Sequence, residues 1–423
     1  MNFIKATARY EAWLHQHMDL AAPDLRRKHT RMREARFPFL RATYYRWAQV
    51  WPELCPDLAA APRAGRRGSP CRELRHLARQ RGKARLGVND FDEAWRLPYT
   101  HDLVGLATSV AIAISESRLR LDFTVAAEAI VEGYRAGLEE AGAAFVFSEH
   151  DSALREMAID RLRDPEQFWD KLDALQTFRG KLPEGAAKAL ANSLPRGAKG
   201  GRIARRVAGL GSLGRPRFVW LADWQGARIA REVKAAAPSA CCFAQRGGVP
   251  LPSIYEEILR GSVRSADPFL ACPGRWVMRR LAPDCTRIEL ADLPDQRDEV
   301  RLVRSMGFET ANVHLGTGDA RALLRDVKRR RRPWLRHAGL VMVDQVSIRW
   351  TVIGAPFAGP PGADDRPKGA SSPGPCFGIS SFQTCHLRGP RVSPRSKSGR
   401  RVTPPRCSAS SANGIRSCWR GRR

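Results

Sequence analysis

The sequence predicts an α+β fold in two lobes, the larger one helical and the smaller one β-rich. Three observations carry that expectation. Apolar residues recur at helical spacing within residues 87–142. A strand–turn–strand pattern punctuated by glycine fills residues 201–235. The chain has 423 residues, 43% hydrophobic and 27% charged, an ordinary globular composition with enough length for a sizeable core. The expected division is a mainly helical lobe over 1–180 with an acidic turn, a small β-rich lobe over 181–300 with a glycine loop and a lysine, helices over 301–353, and a disordered tail over 354–423.

Residues 1–50 read as helical and then aromatic. RRKHTRMREARFPFLRATYYRWAQ interleaves basic residues with Phe37, Phe39, Tyr44, Tyr45 and Trp47. That mixture suits a nucleic-acid surface. Aromatics packed beneath a basic rim explain it more simply, because long basic side chains lie readily over apolar surface. Residues 64–86 have almost no apolar periodicity. Next, GVNDFDEAW reads as a strand end and turn, and DLVGLATSVAIAI as a buried helix with Asp102 as its N-cap. TVAAEAIVEGYRAGLEE is a second helix, with Val125, Ala129, Ile130, Tyr134 and Leu138 in one stripe. A polar helical stretch (150–180) and a loop, KLPEGAAKALANSLPRGAKGG, lead to strand, glycine turn, strand, turn, strand. PSIYEEILRG reads as a short helix, Trp276–Leu281 as a core strand, and DARALLRDVKRRRRPWLRHAGLVMV as helix. From about residue 354, Pro, Gly, Ser, Arg and Cys dominate without periodicity.

The net charge of +29 points, taken alone, to nucleic acid or an anionic membrane. Its distribution argues otherwise. Residues 64–86 contribute +7 and residues 358–423 a further +11, along with five of the ten Cys. The rest of the chain is only mildly basic, so a nucleic-acid-binding role ranks last among the candidate functions. The start, MNFIKATARYEAWLHQ, lacks the apolar core of a secretory signal. Leu103–Ile114, the longest mostly apolar run, is too short to span a bilayer. A cytoplasmic location and no membrane partner are expected. No Cys pair has C-x-x-C spacing, and adjacent Cys241 and Cys242 are poorly placed for a zinc site or a disulfide.

Three local features could handle phosphate. Gly209-Leu210-Gly211-Ser212-Leu213-Gly214 spaces glycines so that backbone N–H groups can reach phosphate oxygens. An ordinary glycine turn in a hairpin is the competing explanation. Lys234, on the third strand after that turn, stands where an ammonium could pair with phosphate, with Glu256 or Glu257 of the following helix to orient it. A solvated strand lysine is the alternative. Asn89-Asp90-Phe91-Asp92-Glu93 puts three acids in five residues, and Asp90 and Asp92 suit a hard cation such as Mg²⁺. The alternative is an Asp-rich turn capping the next helix. His314 in ANVHLG reads as a packed or hydrogen-bonded histidine, and KRRRRPW over 328–334 as a solvated helix end.

Together these segments resemble the bacterial family known as domain of unknown function 2252 (DUF 2252). The pieces are RRKHTRM with FPFLRATYYRWAQ, VNDFDEAW, DLVGLATS, GLGSLGRPRFV with REVKAA, RWVMRRLAPD, ANVHLG and RPWL, spread over roughly residues 20–345. That family is similar in turn to protein-kinase-like and aminoglycoside-phosphotransferase-like folds. The resemblance implies ATP and Mg²⁺ as ligands and an unknown acceptor substrate. It implies Asp90 as the metal-binding Asp and Lys234 as the phosphate-pairing Lys. Gly209, Gly211 and Gly214, with Ser212 among them, would form the phosphate loop. Kinases place the glycine loop before the metal-binding Asp, so a circularly permuted kinase-like fold is implied here.

Two departures stand out. Gly105 occupies a position where the family pattern DL-x-RL leads to Arg. The family's Gly-Asp-x-His-x-x-Asn loop, whose Asp is the base and whose Asn is a metal ligand in kinase-like enzymes, does not occur. In its place stands GSPCRELRHLARQ, residues 68–80. With permitted codons, a shift of one nucleotide converts this stretch to Asp-Leu-His-Val-Glu-Asn-Phe-Gly-Thr-Trp-Arg-Asp. Residues 64–86 and the tail from about 354 therefore read as out-of-frame translation. The expectation is a phosphotransferase scaffold impaired by the loss of its base, with a non-catalytic, pseudokinase-like nucleotide-binding protein as the alternative.

Overall fold

A computed structural model of the chain describes residues 2–61, 91–116, 119–143, 164–245, 253–264, 267, 269–283, 299–316 and 318–354, with the backbone alone of 77–80 and 83–85. The remainder of 64–86 and the tail beyond 354 lie outside the described residues, so the out-of-frame reading of both segments does too.

The chain opens with five helices, α1 (Phe3–His15), α2 (Ala22–Glu34), α3 (Arg36–Ala42), α4 (Tyr44–Leu54) and α5 (Pro56–Ala59). Their aromatic residues are core: Phe37, Phe39, Tyr44, Tyr45 and Trp47 are buried, while Arg26, Arg27 and Arg33 are exposed above them. Tyr10 stacks on Tyr45 with ring centroids 4.4 Å apart. A short antiparallel ribbon of β1 (Leu77–Gln80) and β2 (Lys83–Arg85) precedes α6 (Tyr99–Ser115) and α7 (Phe123–Glu139). Asp102 does not cap α6. The helix begins at Tyr99 after Pro98, and Asp102 lies in its first turn, buried. The capping aspartate is Asp122 on α7, which accepts from the backbone N–H groups of Thr124 at 2.7 Å and Val125 at 3.1 Å.

Next come α8 (Pro165–Asp173) and α9 (Glu184–Ser193). The sequence reads as a loop across α9, but Ala186, Ala189 and Leu190 share one face that buries against the sheet. That sheet is mixed into the chain as β3 (Lys199–Arg205), β4 (Arg217–Trp224), β5 (Ala227–Ala235) and β6 (Trp276–Leu281), antiparallel in the order β3-β4-β5-β6. Between β5 and β6 lie α10 (Ala240–Gln245) and α11 (Tyr255–Gly261). The chain then forms α12 (Glu299–Leu315), α13 (Ala320–Arg329) and α14 (Trp334–Gly354). The helix that the sequence suggests from Asp319 onward is thus two helices, broken ahead of Pro333, which has no N–H to continue the ladder.

The helical body is built around α7 and α12. Val125 is 43% exposed, so it stands outside the expected stripe. The buried face of α7 instead runs through Ala126, Ala129, Ile130, Gly133, Tyr134, Gly137 and Leu138. A Cβ on Gly133 would lie 1.9 Å from the carbonyl oxygen of Arg304, and one on Gly307 would lie 2.2 Å from that of Ile130. The two helices touch backbone to backbone, which glycine alone permits.

In the sheet, register decides which side chains share a face. Leu221, Ala230 and Leu281 form one cross-strand row. Val219, Glu232 and Arg279 form the next, and Arg217, Lys234 and Val277 the third. Phe168 and Leu172 of α8 cover the first row. The opposite face, with Phe218 and Val233, packs on α9. Charge therefore rises along a single face, from an apolar row to two rows bearing buried ions.

Candidate functional site

The acidic turn and the lysine strand meet. Lys234 is buried at the end of β5, and its Nζ forms a hydrogen-bonded ion pair with Oδ2 of Asp92, 142 residues earlier in the chain. Asn89 and Asp90 lie outside the described residues. Asp92 is held in place by its neighbours. Phe91 is fully buried edge-on against Tyr255 of α11, with centroids 5.7 Å apart. Glu93 accepts from Arg215 Nη2 at 3.2 Å and from the backbone N–H of Ala240 at 2.7 Å, while its carbonyl accepts from Ser239 Oγ at 3.1 Å. Arg215 Nη1 also lies 3.7 Å from Asp92 Oδ2. Burial alone would lower the pKa of Arg215, but the carboxylates of Glu93 and Asp92 and the nearby Tyr10 hold it above its ordinary value.

The glycine loop is the connection between β3 and β4, wound into a short 3₁₀ turn over Leu210–Ser212. Gly209 and Gly214 have φ of 78° and 95°, and a Cβ on Gly214 would lie 2.8 Å from Leu25 Cδ2 of α2. Turn geometry and helix contact thus account for two of the three glycines, and Gly211 is exposed. Ser212 is buried; its Oγ donates to the Gly209 carbonyl at 3.2 Å and accepts from Arg217 Nη2 at 2.8 Å.

Arg217 links that turn to the second charged row. Glu232 is fully buried, and one of its oxygens accepts from Arg217 Nη1 at 2.9 Å and Arg279 Nε at 2.6 Å. Its other oxygen accepts from Arg206 Nη1. Burial favours the protonated acid, yet the guanidiniums of Arg217, Arg279 and Arg206 hold the Glu232 pKa well below the usual carboxylate range. Arg217 is pushed down to about 10 by burial, with the attraction of Glu232 opposing and the like charges of Arg279 and Arg206 adding. Among the described residues, five cations (Arg206, Arg215, Arg217, Lys234 and Arg279) thus face three carboxylates (Asp92, Glu93 and Glu232).

A sixth cation lies nearby. Lys28 of α2 is 3% exposed, and no ion pair is formed by it among the described residues. Burial brings its pKa down to about 8, with Glu11 opposing, Arg215 adding and Glu93 opposing. Glu256 accepts from the backbone N–H of Cys272 at 2.7 Å, and Glu257 lies 3.8 Å from Arg96. The Cys272 thiol is pushed up to about 12 by burial, with Asp92 and Glu256 adding and Lys234 opposing. Lys234, Asp92 and Glu256 therefore share one electrostatic neighbourhood.

Arg215, Arg217, Glu232 and Lys28 are site residues that motif reading misses. The signal for the first three is present in the alternation Arg215-Pro216-Arg217 after the glycine turn and in Glu232 two residues before Lys234. Period 2 puts such residues on one strand face. His314 is fully buried and hydrogen-bonded to Tyr134 and Asp102.

Among the described residues, no helix is long and apolar enough to cross a membrane, and no group of three or more His, Cys, Asp or Glu is arranged to hold a metal ion. No curated protein and no solved structure matches the chain. A family match does exist, and it covers the acidic turn but stops short of the glycine loop and Lys234. Residues 22–161 match the model of the family described as uncharacterized protein conserved in bacteria (DUF2252), the same family that the sequence motifs resemble.

Proposed function

We propose that the chain is a kinase-like phosphotransferase scaffold, in circularly permuted order, that holds a nucleotide's phosphates with Mg²⁺ between the glycine turn, Lys234 and Asp92. One observation carries this reading: a lysine on the third strand around a glycine turn pairs, in a buried setting, with a carboxylate of a distant acidic turn. In kinase-like sites those two groups serve one ligand, the lysine binding phosphate oxygens and the aspartate binding the metal. Five cations facing three carboxylates among the described residues suit a multiply charged oxyanion. Mg²⁺ takes one or two carboxylates plus phosphate oxygens and water, so Asp92 with phosphate is a sufficient donor set. The nucleotide would supply the transferable phosphoryl group. This chain's own residues would bind and orient it: Lys234 turns from Asp92 to phosphate, and Asp92 turns to the cation.

The Gly-Asp-x-His-x-x-Asn loop, which supplies the base in kinase-like enzymes, does not occur in the sequence, so binding is expected to outlast transfer. The acceptor is unassigned, and a cytoplasmic site of action accompanies this reading. Thermal unfolding of the full chain with ATP and Mg²⁺ tests it. Bound nucleotide should raise Tm with ligand concentration, Lys234→Met should remove the increase, and phosphate release should stay near background. No increase at millimolar ATP, or one that Lys234→Met leaves intact, overturns the reading.

A further inference from the structure

The last helices carry a charge cluster that the phosphate site proposed above does not use. Residues 319–337 hold eight Lys/Arg against Asp319 and Asp326, a net +6, outside both segments that carry most of the chain's excess. Helical spacing sorts these side chains. Leu323 and Val327 are buried beneath α13, whereas Arg321, Arg325, Lys328 and Arg329 are exposed on its opposite side. Arg331 and Arg332, in the turn before α14, are exposed as well. The run read as a solvated helix end is thus the far end of a longer array, whose helical part alone spans about 12 Å. The array is fixed at both ends. Asp319 accepts from the backbone N–H groups of Arg321 at 2.9 Å and Ala322 at 3.1 Å, and Arg330 Nε donates to Asp326 at 2.8 Å and to the Tyr99 hydroxyl at 3.0 Å. Among the described residues, Lys328 pairs with Glu139 at 2.7 Å, and no ion pair engages Arg321, Arg325, Arg329, Arg331 or Arg332.

We propose that this face docks on the phosphate backbone of double-stranded nucleic acid, without sequence preference, through Arg321, Arg325, Arg329 and Arg332. The proposal is independent of the reading at Lys234. No large apolar side chain is exposed over residues 319–337. A membrane-lying helix needs an apolar face to insert, and a protein interface needs an apolar centre. Trp334 is partly buried and carries the Arg330 guanidinium over its ring at 5.2 Å, so no open aromatic offers the stacking platform that a single strand uses. A row of guanidiniums on a rigid helix matches the repeating phosphates of a duplex, and contacts of that kind position a protein without reading bases.

Fluorescence anisotropy of the full chain with a labelled DNA duplex of about 20 base pairs, between about 50 and 200 mM salt, tests this. Affinity should fall steeply as salt rises. A helix variant combining Arg321→Ala, Arg325→Ala, Arg329→Ala and Arg332→Ala should bind about tenfold more weakly or worse, with the log–log salt slope reduced by about 3–4. A tail variant removes the same charge through Arg400→Ala, Arg401→Ala, Arg422→Ala and Arg423→Ala, and should change the slope far less. Arg325→Glu alone should act in the direction of the helix variant, and melting curves report the folding of each. A parent that leaves the duplex unbound, a helix variant with the parental slope, or a tail variant with an equal loss overturns the proposal. So does tighter binding to a single strand of the same length, or to anionic phospholipid vesicles, through the same arginines; each result assigns the face to that ligand instead.

Discussion

Two buried polar clusters lie in this molecule, and they are built on opposite principles. In the helical body, Tyr134 of α7 donates to Nδ1 of His314 on α12 at 2.9 Å, and Nε2 of His314 donates to Asp102 of α6 at 2.9 Å. Trp47 donates to Nε2 of His101 at 3.0 Å; an indole N–H is donor only, so the His101 proton sits on Nδ1, facing Asp102 at 3.6 Å. One carboxylate anchors a network whose members come from four helices. On the sheet face, one carboxylate is surrounded by three full positive charges, and Lys234 follows in the row that also holds Arg217, one of the three. The first cluster pairs its carboxylate with neutral side chains, and only the His101 Nδ1 stays short of a hydrogen bond. The second, among the described residues, holds more cations than carboxylates. Polarity alone therefore marks neither as a site; the charge balance does.

Removing the central acid should separate them most sharply. Glu232→Gln leaves three guanidiniums without their shared counterion and should cost about 3–5 kcal/mol in chemical denaturation. Added tripolyphosphate should recover part of that loss, because an external anion can replace the missing charge. A variant as stable as the parent would mean that the three arginines are already neutralised from elsewhere. In the helical cluster, His314→Phe leaves Asp102 short of a donor and should cost about 2–3 kcal/mol. Anions should recover none of it.

The pH responses differ in the same way. Burial raises the Asp102 pKa, but hydrogen bonds from His101 and His314 outweigh it and leave the group depressed. A depressed acid contributes stability that is present above its unfolded pKa, about 4, and is lost as pH falls below it. His314→Phe should therefore flatten the acid limb of the stability curve, read by denaturation between pH 3 and 7. An unchanged limb would remove Asp102 from the account.

Much of this was legible in the chain itself, and the failures have physical causes. The glycine hairpin and Lys234 on its third strand follow from local pattern, since turn residues and period 2 are local properties. The partnership of Glu232 with Arg206, Arg217 and Arg279 is a matter of register among four strands, which no single segment encodes. Asp102 looks like a cap because caps and buried acids both precede apolar runs; Pro98 moves the helix start and turns the acid inward. The face of α7 was obscured for a different reason. Its contact with α12 runs through Gly133 and Gly137, small residues that a count of hydrophobic side chains passes over. Asp90, the residue on which the metal expectation rests most, lies outside the described residues.

Lys28 offers the finest discrimination between the two principles, because its predicted effect has the opposite sign. A lysine that is 3% exposed, with a pKa brought down to about 8 by burial, is less stable charged in place than in water. Lys28→Met matches its length without its charge and should stabilise the unliganded protein by about 1–3 kcal/mol. If the sixth cation belongs to the anion site, the same variant should bind tripolyphosphate more weakly than the parent. The gain in stability and the loss of affinity would then arise from one removed charge, the trade expected of a group held in place for function. A stabilised variant with unaltered binding would assign Lys28 to the core and confine the site to the sheet face.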